Sequence, residues 1–425
     1  MAKVFVVAAP ASGSGKTMLT LGLLRSCRNR GLRVASAKVG PDHIDPRFHE
    51  AASGRPCLNL DPWAMRPELV QGLLSGLAQD SDVVIIEGVM GLFDGPHGAR
   101  GSTADLAEEL QIPILLVLDA SHQAQSIAAL AQGFMNFNRN LNIAGVLLNR
   151  VASDRHAAVL GSALDAAKIP LLGMVRQSDQ LAWPSRHLGL VQAQENQELE
   201  RFIEAVALTV TAETTIDKSM IEETRFAANQ NPALPPLGQR IAVAEDLAFS
   251  FAYPHILKGW KAAGADISLF SPLKDEAPSA DCDAIFLPGG YPELYAGQLA
   301  QNQKFLAGLR NSKAMIYGEC GGYMVLGEAL IDAQGHAHAM AGLLPVTTSF
   351  AKRKLHLGYR QLDPLVGPWT KPLRGHEFHY STLENEGAGD RLFAAKDAAG
   401  ESLGEIGLRR GNVMGSYAHI ISEAP

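Results

Sequence analysis

Residues 314–326 read Ala314-Met315-Ile316-Tyr317-Gly318-Glu319-Cys320-Gly321-Gly322-Tyr323-Met324-Val325-Leu326. A short apolar strand runs into a cysteine set between glycines, and a helical pattern begins at once, the G-x-C-x-G form of a nucleophile elbow. Gly318 and Gly322 let the chain turn sharply and keep side chains off the packed helix. The turn sets the sulfur at a helix N-terminus, where the dipole and free N–H groups are expected to favour thiolate over thiol. A strand, an elbow and a helix in succession point to an α/β layer.

The elbow needs a base and donors for a developing oxyanion. His419, in Gly415-Ser416-Tyr417-Ala418-His419-Ile420, follows another apolar stretch and is the first candidate base for Cys320. His376 and His379, in Gly375-His376-Glu377-Phe378-His379-Tyr380, are alternatives; their H-E-x-H spacing is not the H-E-x-x-H of a zinc helix. The strand Ala284–Leu287 ends in Pro288-Gly289-Gly290-Tyr291-Pro292-Glu293. Backbone N–H groups of Gly290 and Gly321 are candidate oxyanion donors, with an ordinary Gly-Gly turn as the competing reading.

The first half carries a different site. Runs rich in Val, Ile and Leu at Lys3–Ala9, Arg33–Val39, Asp82–Glu87, Ile112–Asp119, Asn142–Asn149 and Pro170–Val175 alternate with amphipathic stretches. Apolar strands without polar alternation mark a parallel sheet covered on both faces, with ligands at the carboxyl ends of its strands. The first run leads into Ala11-Ser12-Gly13-Ser14-Gly15-Lys16-Thr17 and the helical pattern Met18–Arg28. In such a loop the N–H groups of Gly13, Ser14 and Gly15 cradle phosphates, Lys16 neutralises their oxygens and Thr17 ligates Mg²⁺. Pro10 stands where a strict Walker A loop has glycine, so the motif is a variant.

Two clusters follow the next strands: Lys38-Val39-Gly40-Pro41-Asp42-His43-Ile44-Asp45, and Glu87-Gly88-Val89-Met90-Gly91-Leu92-Phe93-Asp94-Gly95. A carboxylate opposite a phosphate loop holds Mg²⁺ directly or through water, and Glu87 and then Asp45 are the candidates. Asp42 and Asp94 are candidates for binding substrate, competing with simple turn closure. Asn149 is a candidate contact to the adenine edge, or a loop cap.

A chain of 425 residues exceeds one ordinary core, and two domains are expected. Their bounds are read as 1–193 and 240–425. Residues 194–239 form a linker, with helical polar stretches and a Pro/Asn/Gly cluster from Asn229 to Gly238. A net charge of -7 without a Lys/Arg run argues against nucleic acid. Four cysteines without C-x-x-C spacing suit a reducing cytoplasm. No apolar run approaches the roughly 20 residues that span a bilayer, so no membrane partner is expected; a homodimer is compatible with the reading.

Several segments resemble one family in the right order. L-P-G-G-Y-P-E-L, Y-G-E-C-G-G-Y-M and G-S-Y-A-H are similar to class I glutamine amidotransferases of the cobyrinate/cobyrate branch. The first half resembles dethiobiotin-synthetase-like P-loop ligases. With K-V-G-P-D-H-I-D-P, N-L-D-P-W-A-M, E-G-V-M-G-L-F-D-G and G-H-E-F-H-Y-S, the chain resembles the cobyrinate/hydrogenobyrinate a,c-diamide synthase family over essentially its whole length.

The resemblance implies two doubly wound α/β domains, ATP and Mg²⁺ as cofactors, L-glutamine and a corrinoid polycarboxylic acid as substrates, and phosphate, metal or substrate handling by Lys38, Asp42, Asp45, Glu87 and Asp94. ATP activates the a and c acetates as acyl phosphates, and ammonia freed at Cys320 displaces phosphate. The wording favours hydrogenobyrinic acid, with cobyrinic acid or nickel-sirohydrochlorin as alternatives. The general class completes a Cys-His-Glu triad with H-x-E, but Ile420-Ile421-Ser422 follow His419 here, and the third member stays unassigned. A regulatory P-loop ATPase with a degenerate second domain is the competing class. Its signature lysine would stand where this chain has Ala11.

Overall fold

The computed structural model describes residues 2–178, 181, 198–214, 226 and 233–425. Ser219–Ala228, read as helical, falls outside the described residues except for Phe226, as does the start of the Pro/Asn/Gly cluster. The chain divides into two units, Met1–Trp63 with Pro67–Asn229, and Ala64–Arg66 with Gln230–Pro425.

In the first unit the apolar runs become β1 (Lys3–Ala8), β2 (Val34–Val39), β3 (Leu58–Leu60), β4 (Val83–Glu87), β5 (Ile114–Asp119), β6 (Ile143–Val151) and β7 (Leu171–Arg176). They form one sheet in the order β3-β2-β4-β1-β5-β6-β7, and every pairing is parallel. Edge strand β3 has no counterpart among the expected strands; three residues are too few to show a period. The order reverses at β1, so the carboxyl ends of β1, β2 and β4 open onto one crevice. Helix α1 (Lys16–Asn29) leaves β1 through the glycine loop and buries Leu19, Leu21 and Leu24 against the sheet. Each such side chain contributes about 1.5–3 kcal/mol. Helix α2 (Asp45–Ser53) follows β2, with Pro46 in its first turn and Gly54 closing it in the left-handed conformation.

The second unit is only partly doubly wound. Five parallel strands stand in the order Asp266–Phe270, Arg240–Ala244, Ala284–Leu287, Met315–Glu319 and Val413–Ser416. The sheet continues in antiparallel strands, Ser402–Arg410, Asp390–Lys396, His356–Pro364, Leu373–His379 and His419–Glu423. A separate four-stranded sheet holds Ala329–Ile331, Ala337–Ala339, Val346–Ser349 and Thr382–Glu386. Sequence period alone did not reveal the antiparallel part, because strands such as Ser402–Arg410 leave most of their length exposed and lack an apolar run. Among the described residues no helix is long and apolar enough to cross a membrane.

Candidate active sites

At the first site, the loop after β1 wraps a cavity of about 780 Å³ whose walls include Gly13, Lys16, Thr17, Asp42 and Arg150. Gly15 takes φ 96°, and a Cβ there would fall 2.1 Å from Asn149 Nδ2, so the position requires glycine. Asn149 spends both ends of its amide locally: Nδ2 donates to Ser14 O at 2.9 Å and Oδ1 accepts from Arg150 N at 3.0 Å. The loop-cap reading describes these contacts.

Hard oxygens converge beside the loop. Thr17 Oγ1 donates to Glu87 Oε1 at 2.6 Å and lies 3.3 Å from Asp45 Oδ2. Lys38 Nζ reaches Asp45 at 2.8 Å and Glu87 at 2.7 Å, with all three side chains buried. Burial opposes the lysine's charge, but the two carboxylates outweigh it and hold the ammonium well above its usual range. Burial likewise opposes ionisation of Glu87, yet Lys38 and His49 keep the carboxyl below its ordinary value. Asp42 is raised to about 6, by burial and then by Asp45. Lys16 is lowered by burial and by Lys38.

Asp42 Oδ1 accepts from Ile44 N and Asp45 N, and Asp94 Oδ2 from Gly91 N at 2.9 Å; both aspartates close turns. His49 was not foreseen. From α2 its Nε2 meets Glu87 Oε2 at 2.6 Å, while Nδ1 faces Cys57 Sγ at 3.4 Å. Although burial works against its charge, Cys57 and Glu87 raise it to about 10. In sequence it reads as one polar residue on a helix.

At the second site, Cys320 ends its strand with φ 46° and ψ −106°, the strained backbone of an elbow. Its amide donates to Ser416 O at 2.9 Å, which ties the turn to the next parallel strand. The expectation of a thiolate at rest is corrected: the helix behind it, Gly321–Leu326, has only six residues, and the thiol is buried. Burial and then the Glu293 carboxyl push the thiol well up, with only the Gly321 N–H opposing.

His419 is buried, and a Cβ on Gly289 would lie 2.1 Å from its Cε1; the imidazole occupies the space glycine leaves. Burial first, then His376 and His379, lowers it to about 3, so it stands neutral. Gly290 N lies 3.1 Å from where a Cβ of Gly321 would stand, so the two expected oxyanion donors belong to backbones in close packing.

His376 sits opposite His419 on the neighbouring strand. His379 is engaged elsewhere: Nε2 meets Glu377 Oε1 at 2.8 Å, and its ring stacks on Tyr417 at 3.8 Å. His356, Glu377 and His379 each bring a ligand atom within 4.8 Å of the others. The two imidazoles lie parallel at 7°, however, which aims their in-plane lone pairs side by side and fits a metal ion poorly. Glu377 is held by Arg360 Nε at 2.7 Å. Beside the elbow a cavity of about 330 Å³ is lined by Tyr323, Lys354, His356, Glu377, His379 and Tyr417, among others.

One further group escaped the sequence reading. Glu319, immediately before the nucleophile, is buried; its Oε1 accepts from Ile420 N at 3.1 Å and its Oε2 stands 4.0 Å from His419 Nδ1. Burial raises this carboxyl to about 8.

Comparison with known proteins agrees with both halves. Residues 5–191 match the CobQ/CobB/MinD/ParA nucleotide binding domain, and residues 240–425 the CobB/CobQ-like glutamine amidotransferase domain. The hydrogenobyrinate a,c-diamide synthase of Brucella anthropi is 55% identical over 430 residues, covering 99% of this chain and 98% of that one. Its namesakes from Brucella abortus biovar 1 and a Sinorhizobium species are 54% and 51% identical at the same coverage. The chain therefore belongs to the hydrogenobyrinate a,c-diamide synthase family of glutamine-dependent, amide-forming ligases.

Proposed function

We propose that the protein converts the a and c acetate side chains of hydrogenobyrinic acid to amides, using ATP and glutamine in turn for each. One observation carries the reading: a phosphate loop with Thr17 against the buried Asp45–Glu87–Lys38 cluster, and an elbow at Cys320 with a buried His419 in the same unit, occur on one chain matched end to end by relatives of that name.

Mg²⁺ suits Thr17, Asp45 and Glu87, whose oxygens are of the hard type it takes, and there it supplies charge neutralisation on ATP phosphate oxygens. Loop amides of Gly13, Ser14 and Gly15 hold the phosphates, with Asn149 fixing the loop. Lys16 and Lys38 stabilise charge on the transferred phosphoryl group, while Asp42 and Asp94 shape the substrate turns. A side-chain carboxylate attacks the γ-phosphorus, ADP leaves, and the acid becomes an acyl phosphate.

At the elbow, His419 takes the Cys320 proton as sulfur attacks the glutamine amide. The oxyanion is held by N–H groups of Gly290 and Gly321, and the ring returns the proton to the leaving ammonia. Water then frees glutamate from the thioester. Ammonia attacks the acyl phosphate, phosphate leaves and the amide remains. A buried thiol reacts only when its proton has an acceptor; Cys320 Sγ lies 3.8 Å from Phe378 O, and the neutral His419 is the base the reaction requires.

The test is mass analysis of purified protein with glutamine, ATP-Mg²⁺ and metal-free, cobalt and nickel substrates offered separately. Two carboxyls become two amides on hydrogenobyrinic acid. Conversion of only a metallated tetrapyrrole, or of none, overturns the proposal.

A further inference from the structure

The elbow brings its own acid. Glu319 and Cys320 are neighbours on one strand end, and the left-handed turn at Cys320 sends the two side chains to different surroundings. The carboxyl of Glu319 enters the interior beside the strand His419–Glu423. There Oε1 takes the amide of Ile420, the residue after His419, at 3.1 Å, and Oε2 faces His419 Nδ1 at 4.0 Å. Gly289 closes the other side of the ring. One carboxyl thus anchors the backbone next to the imidazole and stands near its Nδ1, within range of charge though not of a hydrogen bond.

We infer that Glu319 is the positioning residue of the glutaminase centre, orienting His419 from the strand before the nucleophile. The inference rests on the proposed function of Cys320 and His419. At 4.0 Å the pair interacts through charge and not through a hydrogen bond: in its ionised form, which grows as pH rises towards 8, the carboxyl stabilises hydrogen on Nδ1 of a cationic His419 and leaves Nε2 to exchange the thiol proton. No H-x-E pair is needed for this, since the position two residues after His419 is Ile421.

Once ionised, the carboxyl offers an oxygen to each of two groups, the Ile420 amide and the cationic ring. A carboxamide of the same size cannot, because its NH₂ must face one of them. Glu319→Gln therefore preserves volume and breaks the arrangement, whereas Glu319→Asp keeps both acceptors on a shorter stem.

The experiment measures three things on the full-length protein and both variants: glutaminase kcat and KM, ammonia-driven amidation, and the pH profile of Cys320 alkylation by iodoacetamide. Glu377, His376 and His379 also face His419, Glu293 and Glu377 face the thiol, and Tyr317 faces Glu319; all stay in place, so a shift between variants belongs to residue 319.

For Glu319→Gln the glutaminase kcat should fall about 10²-fold or more, as for a misdirected base, with KM within about twofold. Glu319 is itself one of the carboxyls that raise the Cys320 thiol, so the alkylation profile of Glu319→Gln should move to lower pH, and Glu319→Asp should keep more activity than Gln. Ammonia-driven amidation does not pass through Cys320 and reports on folding. The inference is overturned by a Gln variant within about threefold of the parent in kcat, by an unmoved alkylation profile, by Gln outperforming Asp, or by an equal loss of ammonia-driven synthesis. Cys320→Ser runs alongside. If it keeps glutamine use, the proposed function itself fails; if it loses glutamine use while Glu319→Gln does not, only the role of Glu319 fails.

Discussion

Gly289→Ala puts one methyl group where the structure has an imidazole. The added Cβ would stand 2.1 Å from His419 Cε1 and 3.0 Å from Nε2, whereas ordinary contact begins at 3.4 Å. One of the two must retreat by about 1.3 Å. The strap is fixed by Phe251 N donating to Gly289 O at 2.9 Å, so the ring is the partner that gives. Gly289 does not have positive φ, so alanine strains no torsion and the effect is confined to the collision. A displacement of about 1 Å in a reacting group is worth about 10²-fold, or about 2.7 kcal/mol of barrier.

Glutaminase activity of Gly289→Ala, followed as glutamate release, is therefore expected to fall about 10²-fold through kcat. Amidation driven by high ammonium should proceed at the parental rate. Glutaminase within about threefold of the parent would refute the placement of His419 against this strap, as would a parallel loss of ammonia-driven synthesis.

Cys320→Ser is expected to abolish glutamine use and retain synthesis from ammonium, measured by product mass. Lys16→Ala should abolish synthesis from either nitrogen source; survival with ammonium would refute its role at the phosphates. Lys38→Met leaves buried Asp45 and Glu87 without their shared cation, a loss of about 3–5 kcal/mol that calorimetry would register as a lower melting temperature for the first unit. Added Mg²⁺ should recover part of that loss. Glu319 and Glu293 are raised by burial to about 8 and about 7, above the ordinary 4.5. The folded state therefore holds protons the unfolded chain releases, and their contribution to stability is full below about pH 4.5 and lost as pH rises through 7 and 8. The second unit should melt at lower temperature at alkaline pH than at pH 6, with a smaller decline in Glu319→Gln.

The parallel strands and both loops were legible because their signals are local: an unbroken Val/Ile run such as Val83–Glu87, a glycine loop between strand and helix, a cysteine between glycines. What escaped is made by topology. Glu319 meets the amide of Ile420 only because a distant strand returns beside it. His49 meets Glu87 only because α2 packs next to β4's neighbour. The thiolate expectation failed because it counted the helix end and not the burial of the sulfur. Asn149 and Asp94 carried two readings each, because one amide or carboxyl after a strand can close a loop and meet a ligand alike.

Lys38 gives the first site a resident counter-ion. Its ammonium, together with His49 on Glu87, already offsets the charge of Asp45 and Glu87, so between turnovers that nest has little electrostatic hunger for a divalent ion from solution. A metal then gains most when it arrives already chelated by a polyphosphate. On the proposed assignment of Mg²⁺ to Thr17, Asp45 and Glu87, such a lock would tie ion loading to nucleotide arrival and spare the idle enzyme from scavenging stray cations.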